Sequence, residues 1–99
     1  MKVSELLDSP NKWCQHAYAK SIEGTPVSSY ASGACSWCLI GAVNLCYPLV
    51  IDPDIKRQPH DMVMDRLKEV IGITNVATWN DDPSRTFEEV REAVLKAGI

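Results

Sequence analysis

Long apolar runs are missing from this chain. The longest, Trp37 to Val43 and Leu45 to Ile51, cover seven residues each, against the roughly 20 that a helix needs to cross a bilayer. A membrane-spanning segment is therefore excluded. The N-terminus also lacks the continuous apolar core of an export signal, because Met1, Lys2 and Val3 give way at once to Ser4 and Glu5; the cytoplasm is the expected compartment. Basic charge is scarce as well. Ten Lys and Arg stand against thirteen Asp and Glu, a formal net charge of −3, so bulk attraction to a phosphate backbone is not expected. Lys56-Arg57 is the one adjacent basic pair, and no basic stripe interleaves with aromatics as a nucleic-acid groove would require. Internal repeats, low-complexity tracts and a nucleotide-binding glycine loop are absent too.

What remains is a sequence of 99 residues, 45% hydrophobic and 23% charged, which fits one small globular domain over residues 1–99. Large side chains are few, so stability is expected to lean on Trp13, Trp37, Trp79 and Phe87. Four cysteines, Cys14, Cys35, Cys38 and Cys46, read as free thiols in a reducing compartment.

The patterning is mostly helical. Val3, Leu6 and Leu7 mark a short first helix, and Ser9-Pro10 looks like the cap and first position of a second one running to about Lys20, with Trp13, Cys14, Ala17 and Tyr18 on its buried face. Residues 21–33 read as a loop in which Thr25-Pro26-Val27 allows a brief extended stretch. From about Ala34 to Cys46 only Ser36 and Asn44 are polar. A helix apolar nearly all round is a buried one, so residues 34–46 are expected to form the central element. Gly41 within it would admit the close approach of another backbone or of the ring of a neighbouring aromatic. A fourth helix spans about Pro59 to Ile71, with Val63, Leu67, Val70 and Ile71 as its stripe and Gly72 as its stop. Ile73 to Ala77 fits either a strand or a helical turn. Thr86 and Glu89 match a capping box opening a last helix, which Gly98 closes.

Three constellations are candidates for chemistry. Cys35 and Cys38 have CxxC spacing, and a thiol in a first helical turn would be favoured as thiolate, which suits redox exchange; the bland alternative is core filling. Cys14, His16, Cys35 and Cys38 supply four donors for zinc if the second and third helices meet, although Cys14 and His16 would point to different sides of a regular helix. Nucleophilic catalysis by Cys35 or Cys38, with His16 or His60 as base, rests on composition alone; His60 reads as a surface residue. The densest polar segment, Trp79 to Thr86, reads as a turn anchored by Trp79. Asp82-Pro83 occupies its first two positions, and Asp81 accepts from backbone N–H groups or Arg85. Asn80, Asp81 and Arg85 are its candidate binding residues.

Trp37-Cys38-Leu39-Ile40-Gly41-Ala42, followed by Trp79-Asn80-Asp81 and by Arg85-Thr86-Phe87-Glu88-Glu89-Val90, resembles a group of small uncharacterised proteins of bacteria and their phages. They share a W-C-x-x-G-A helix and a W-N-D turn leading into a T-x-x-E-V helix; Trp13 and Gly24 are similar to their earlier landmarks. The resemblance covers Trp13 to Ala97, and Cys14 and Cys35 lie outside it. It implies a helical domain of bacterial or phage origin and no established activity.

The expected fold is mainly α, a small orthogonal bundle of four to five helices around the buried 34–46 helix, with at most a minor short β element. The expected function is non-catalytic: binding another protein in the cytoplasm, without a cofactor, nucleic acid or membrane. The alternatives are a thiol-redox or metal-binding protein using Cys35 and Cys38, and a phage-type inhibitor of a host protein.

Overall fold

The computed structural model describes all 99 residues. Five helices, α1 (Val3–Leu6), α2 (Leu39–Cys46), α3 (Pro59–Ile71), α4 (Val76–Asn80) and α5 (Phe87–Ala97), pack with three two-residue strands, β1 (Ala19–Lys20), β2 (Pro26–Val27) and β3 (Ser36–Trp37). The strands form one antiparallel sheet in the order β2-β1-β3, with Ala19 opposite both Val27 and Trp37. The architecture is therefore mixed α/β, which corrects the expectation of a mainly α bundle.

Two segments carry the correction. Residues 10–20 do not form a helix. Pro10–Lys12 makes a single 3-10 turn, Trp13 is extended, and His16 has a φ of 67°, a left-handed conformation no right-handed helix contains. The apolar pattern of Trp13, Cys14, Ala17 and Tyr18 is too short to separate a helix from an irregular buried segment. Long-range hydrogen bonding decides it. The Cys14 N–H donates to the Trp37 carbonyl at 3.1 Å, beside a parallel bridge between Trp13 and Trp37. Residues 34–46 likewise divide. Cys35 donates its N–H to Lys20 and Cys38 its N–H to Tyr18, which places β3 beside β1, and the helix starts only at Leu39. A strand followed by a helix, both packed inward, produced the all-round apolar pattern read as one helix. The central helix is thus the eight-residue α2, capped by Cys38, whose sulfur accepts the Gly41 N–H at 3.3 Å.

Elsewhere local signals and structure agree. Pro59 opens α3 and Gly72 closes it at φ 77°, with Val63 and Leu67 buried. Thr86 and Glu89 form the reciprocal capping box of α5, and Gly98 ends it in the left-handed conformation. Residues 73–77 resolve as the approach to α4 and its first two residues, with the cap, Asn75, accepting the Thr78 N–H at 3.0 Å. His60 is not a surface residue: its ring is largely buried, with Nε2 2.7 Å from Asn44 Oδ1, and so ties α3 to α2.

The core joins α1, α2, α3 and α5 through Leu7, Leu39, Val43, Leu67, Val90 and Val94, all with little or no exposure. The chain ends are clasped together, Val3 N–H donating to the Ile99 carbonyl at 2.7 Å, and Arg91 donates to the Ser4 and Leu7 carbonyls at the end of α1. Gly41 sets how closely α2 approaches the sheet. A Cβ there would fall inside the contact radius of the Tyr18 carbonyl oxygen, which belongs to backbone and cannot swing aside.

Gly41→Ala should therefore cost about 1–3 kcal/mol through overpacking, read as a lower midpoint in chemical denaturation; an unchanged midpoint would show that α2 does not press on Tyr18. A second expectation concerns acid. The Thr86 backbone N–H, with smaller help from the Thr86 hydroxyl and Arg85, holds the Glu89 carboxyl below its ordinary pKa. A group lowered in the folded state contributes stability above its unfolded pKa, about 4.3, and loses it as pH falls through the folded value. The stability difference between the natural protein and Glu89→Gln should thus be largest above about pH 5 and shrink on acidification. A difference constant with pH would contradict the assignment.

Candidate functional site

The polar segment from Trp79 to Thr86 is built around one buried amide. Asn80, in the last turn of α4, is 1% exposed. Its Oδ1 accepts the Trp13 indole N–H at 2.8 Å and the Leu39 backbone N–H at 3.1 Å. Its Nδ2 donates to the Cys14 carbonyl at 3.1 Å and to Asp81 Oδ1 at 2.9 Å. Both lone pairs and both protons are used, so the amide orientation follows from its partners and no polar capacity is left for a ligand. Asn80 thereby joins the 13–14 segment, the first residue of α2, and α4.

Neighbouring side chains complete the α4 terminus. Helix ends leave carbonyls without partners, and Gln15 Nε2 donates to the Asn80 and Asp82 carbonyls, each at 2.9 Å. Arg85 Nε donates to the Trp79 carbonyl at 2.9 Å, and its guanidinium carbon lies 3.8 Å from the centre of the Trp79 ring. Arg85 also pairs with Glu89 at 3.1 Å. Asp82 opens the following turn, its carbonyl accepting the Arg85 N–H and its carboxylate the Ser84 N–H. Of the three candidate binding residues, then, Asn80 and Arg85 are occupied with the fold, and Asp81 alone reaches an open surface.

That surface is a cleft of about 650 Å³ between the sheet, the start of α2, and α4. Tyr18, Pro26, Val27, Ile40 and Ala77 supply its apolar wall, and His16, Ser28, Cys38 and Asp81 its polar groups. Asp81 is held from two sides: Oδ1 accepts the His16 backbone N–H at 2.9 Å as well as the Asn80 amide. Its Oδ2 accepts no hydrogen bond from the protein and lies 3.8 Å from His16 Nδ1. The left-handed backbone of His16 is sustained by that N–H bond to Asp81. Strain of this kind is held only where the surroundings determine it.

The thiols are distributed differently from the sequence-based candidates. Cys35 is exposed, donates to the Gly33 carbonyl and lines a separate hollow with Lys12 and Lys20, whereas Cys38 is buried beside the cleft. Extended backbone at β3 sends residues three apart to opposite faces, so the CxxC pair does not converge. Burial pushes the Cys38 and Cys14 thiols above their ordinary pKa, the opposite of an activated nucleophile. No three His, Cys, Asp or Glu side chains gather as a metal-holding group, so Cys14, His16, Cys35 and Cys38 do not form the proposed zinc set. No helix is long and apolar enough to cross a membrane. Sequence reasoning missed Gln15, Tyr18, Val27, Ile40 and Ala77. Their roles arise from the sheet and carry no local signature.

Removing the Asn80 amide should leave the Trp13 indole, the Leu39 N–H and the Cys14 carbonyl buried without partners. Asn80→Leu is therefore expected to lower stability by at least about 3 kcal/mol, measured by urea denaturation. A loss below about 1 kcal/mol would show that these groups find other partners.

The model of a family of unknown function (DUF6197) matches residues 1–98. No curated protein and no solved structure matches the chain.

Proposed function

We propose, for a chain that belongs to this family of unknown function, that it is a non-catalytic binding domain whose ligand is a segment of another protein seated in the Tyr18–Ile40 cleft. The observation that carries this reading is the cleft itself. It is of ligand-binding size, mostly apolar, and backed by the Asn80 amide, whose donors and acceptors are all satisfied. Tyr18 is 59% exposed at its edge, a side chain that offers contact area to a partner at small entropic cost. A preorganised cleft with few polar groups favours recognition over chemistry: Cys38 is buried and Asp81 Oδ1 is held by the His16 N–H and the Asn80 amide. The Cys38 thiol, raised in pKa, supports the same reading.

Capture of a partner from a bacterial lysate tests it when made with two variants. Tyr18→Glu alters the cleft while leaving the Tyr18 backbone contacts in place; Leu95→Glu changes an exposed position on α5. The partner retained by the natural protein and by Leu95→Glu should be lost at least tenfold with Tyr18→Glu. Equal capture by both variants would move the binding surface away from the cleft, and turnover of a substrate by the isolated protein would contradict the non-catalytic reading.

A further inference from the structure

The cleft has one fixed charge. Among its lining residues only Asp81 carries a permanent one, and no Lys or Arg is present. The Asp81 side chain is 31% exposed, and its two oxygens differ. Oδ1 is committed to the His16 N–H and the Asn80 amide, which fix the carboxylate plane; Oδ2 has no donor from the protein. A rigid carboxylate with an unfilled acceptor beside apolar walls is arranged for a cationic donor, since charge-assisted hydrogen bonds strengthen where water is displaced.

We propose that the partner segment enters the cleft with a basic side chain, arginine in preference to lysine, whose cation donates to Asp81 Oδ2. This rests on the cleft being the binding surface. Arginine is favoured because its weakly hydrated planar cation is more easily taken from water and stacks on an aromatic face, here that of Tyr18. Because Oδ1 already accepts two hydrogen bonds, the contact is single rather than bidentate. The strained His16 backbone then has a purpose: its N–H fixes Asp81 and so presents Oδ2 in one position.

The test is an NMR titration of the intact, isotopically labelled protein with the blocked peptide acetyl-Leu-Arg-Leu-amide and with the same peptide carrying citrulline, the uncharged isostere of arginine. The arginine peptide should shift the amides of His16, Tyr18, Ala77 and Asp81 and bind about tenfold more tightly than its citrulline counterpart. Asp81→Asn is a clean partner experiment, because an asparagine Oδ1 still accepts both structural hydrogen bonds while Oδ2 is replaced by a donor. It should bring the two peptides to equal affinity with the remaining spectrum preserved. If that variant fails to fold, the natural protein decides: its affinity for the arginine peptide alone should fall with added salt. Equal affinity of both peptides at the cleft of the natural protein would overturn the role of Asp81 and leave the cleft as the binding surface. Absence of cleft shifts with either peptide would overturn both.

Discussion

The four hydrogen bonds of the Asn80 amide are the constraint on which this structure depends. Without them the Trp13 indole, the carbonyl of Cys14 and the first amide of α2 would each lack a partner, and Asp81 would keep only the His16 N–H. Unmade hydrogen bonds in a dry interior cost more than made ones contribute, so one side chain selects between this arrangement and the alternatives open to an irregular N-terminal segment. Gln15 and Arg85 extend the same network along the end of α4. The polar cluster that would read as a recognition loop in isolation is largely the fastening between the sheet and the helices.

Legibility in the sequence followed the range of the forces involved. Helices α3 and α5 were readable to within a residue or so because proline, glycine and a Thr86–Glu89 box act locally, at the helix ends themselves. The short first helix and the role of Gly41 were readable for similar reasons. Residues 13–20 and 34–38 were not, because their conformation is set by pairing between Trp13, Ala19 and Trp37 across long stretches of chain. Their side-chain patterns carry no period that distinguishes a two-residue strand from part of a helix. The mixed α/β architecture was hidden by this ambiguity. A match to the family of unknown function along nearly the whole chain agrees with the resemblance found in the Trp37 and Trp79 motifs.

The site was legible in part. Asp81 stands out in both sequence and structure, and its acceptance of a backbone N–H was anticipated, although the donor, His16, was not. Asn80 was selected as a surface group and is instead buried, since a short helix replaces the expected turn. The CxxC spacing lost its chemical meaning once the intervening residues proved extended: Cys35 faces solvent, while Cys38 caps α2 and borders the cleft. The apolar walls of that cleft come from four separate parts of the chain, and only the folded sheet brings them together.

Hydrogen exchange at the Trp13 indole and the Leu39 amide tests the central claim most directly. If the Asn80 amide fastens these segments, both protons should exchange only through global unfolding, with the same protection as the slowest amides of α3 and α5. Rapid exchange of the Trp13 indole while those helices stay protected would contradict the account.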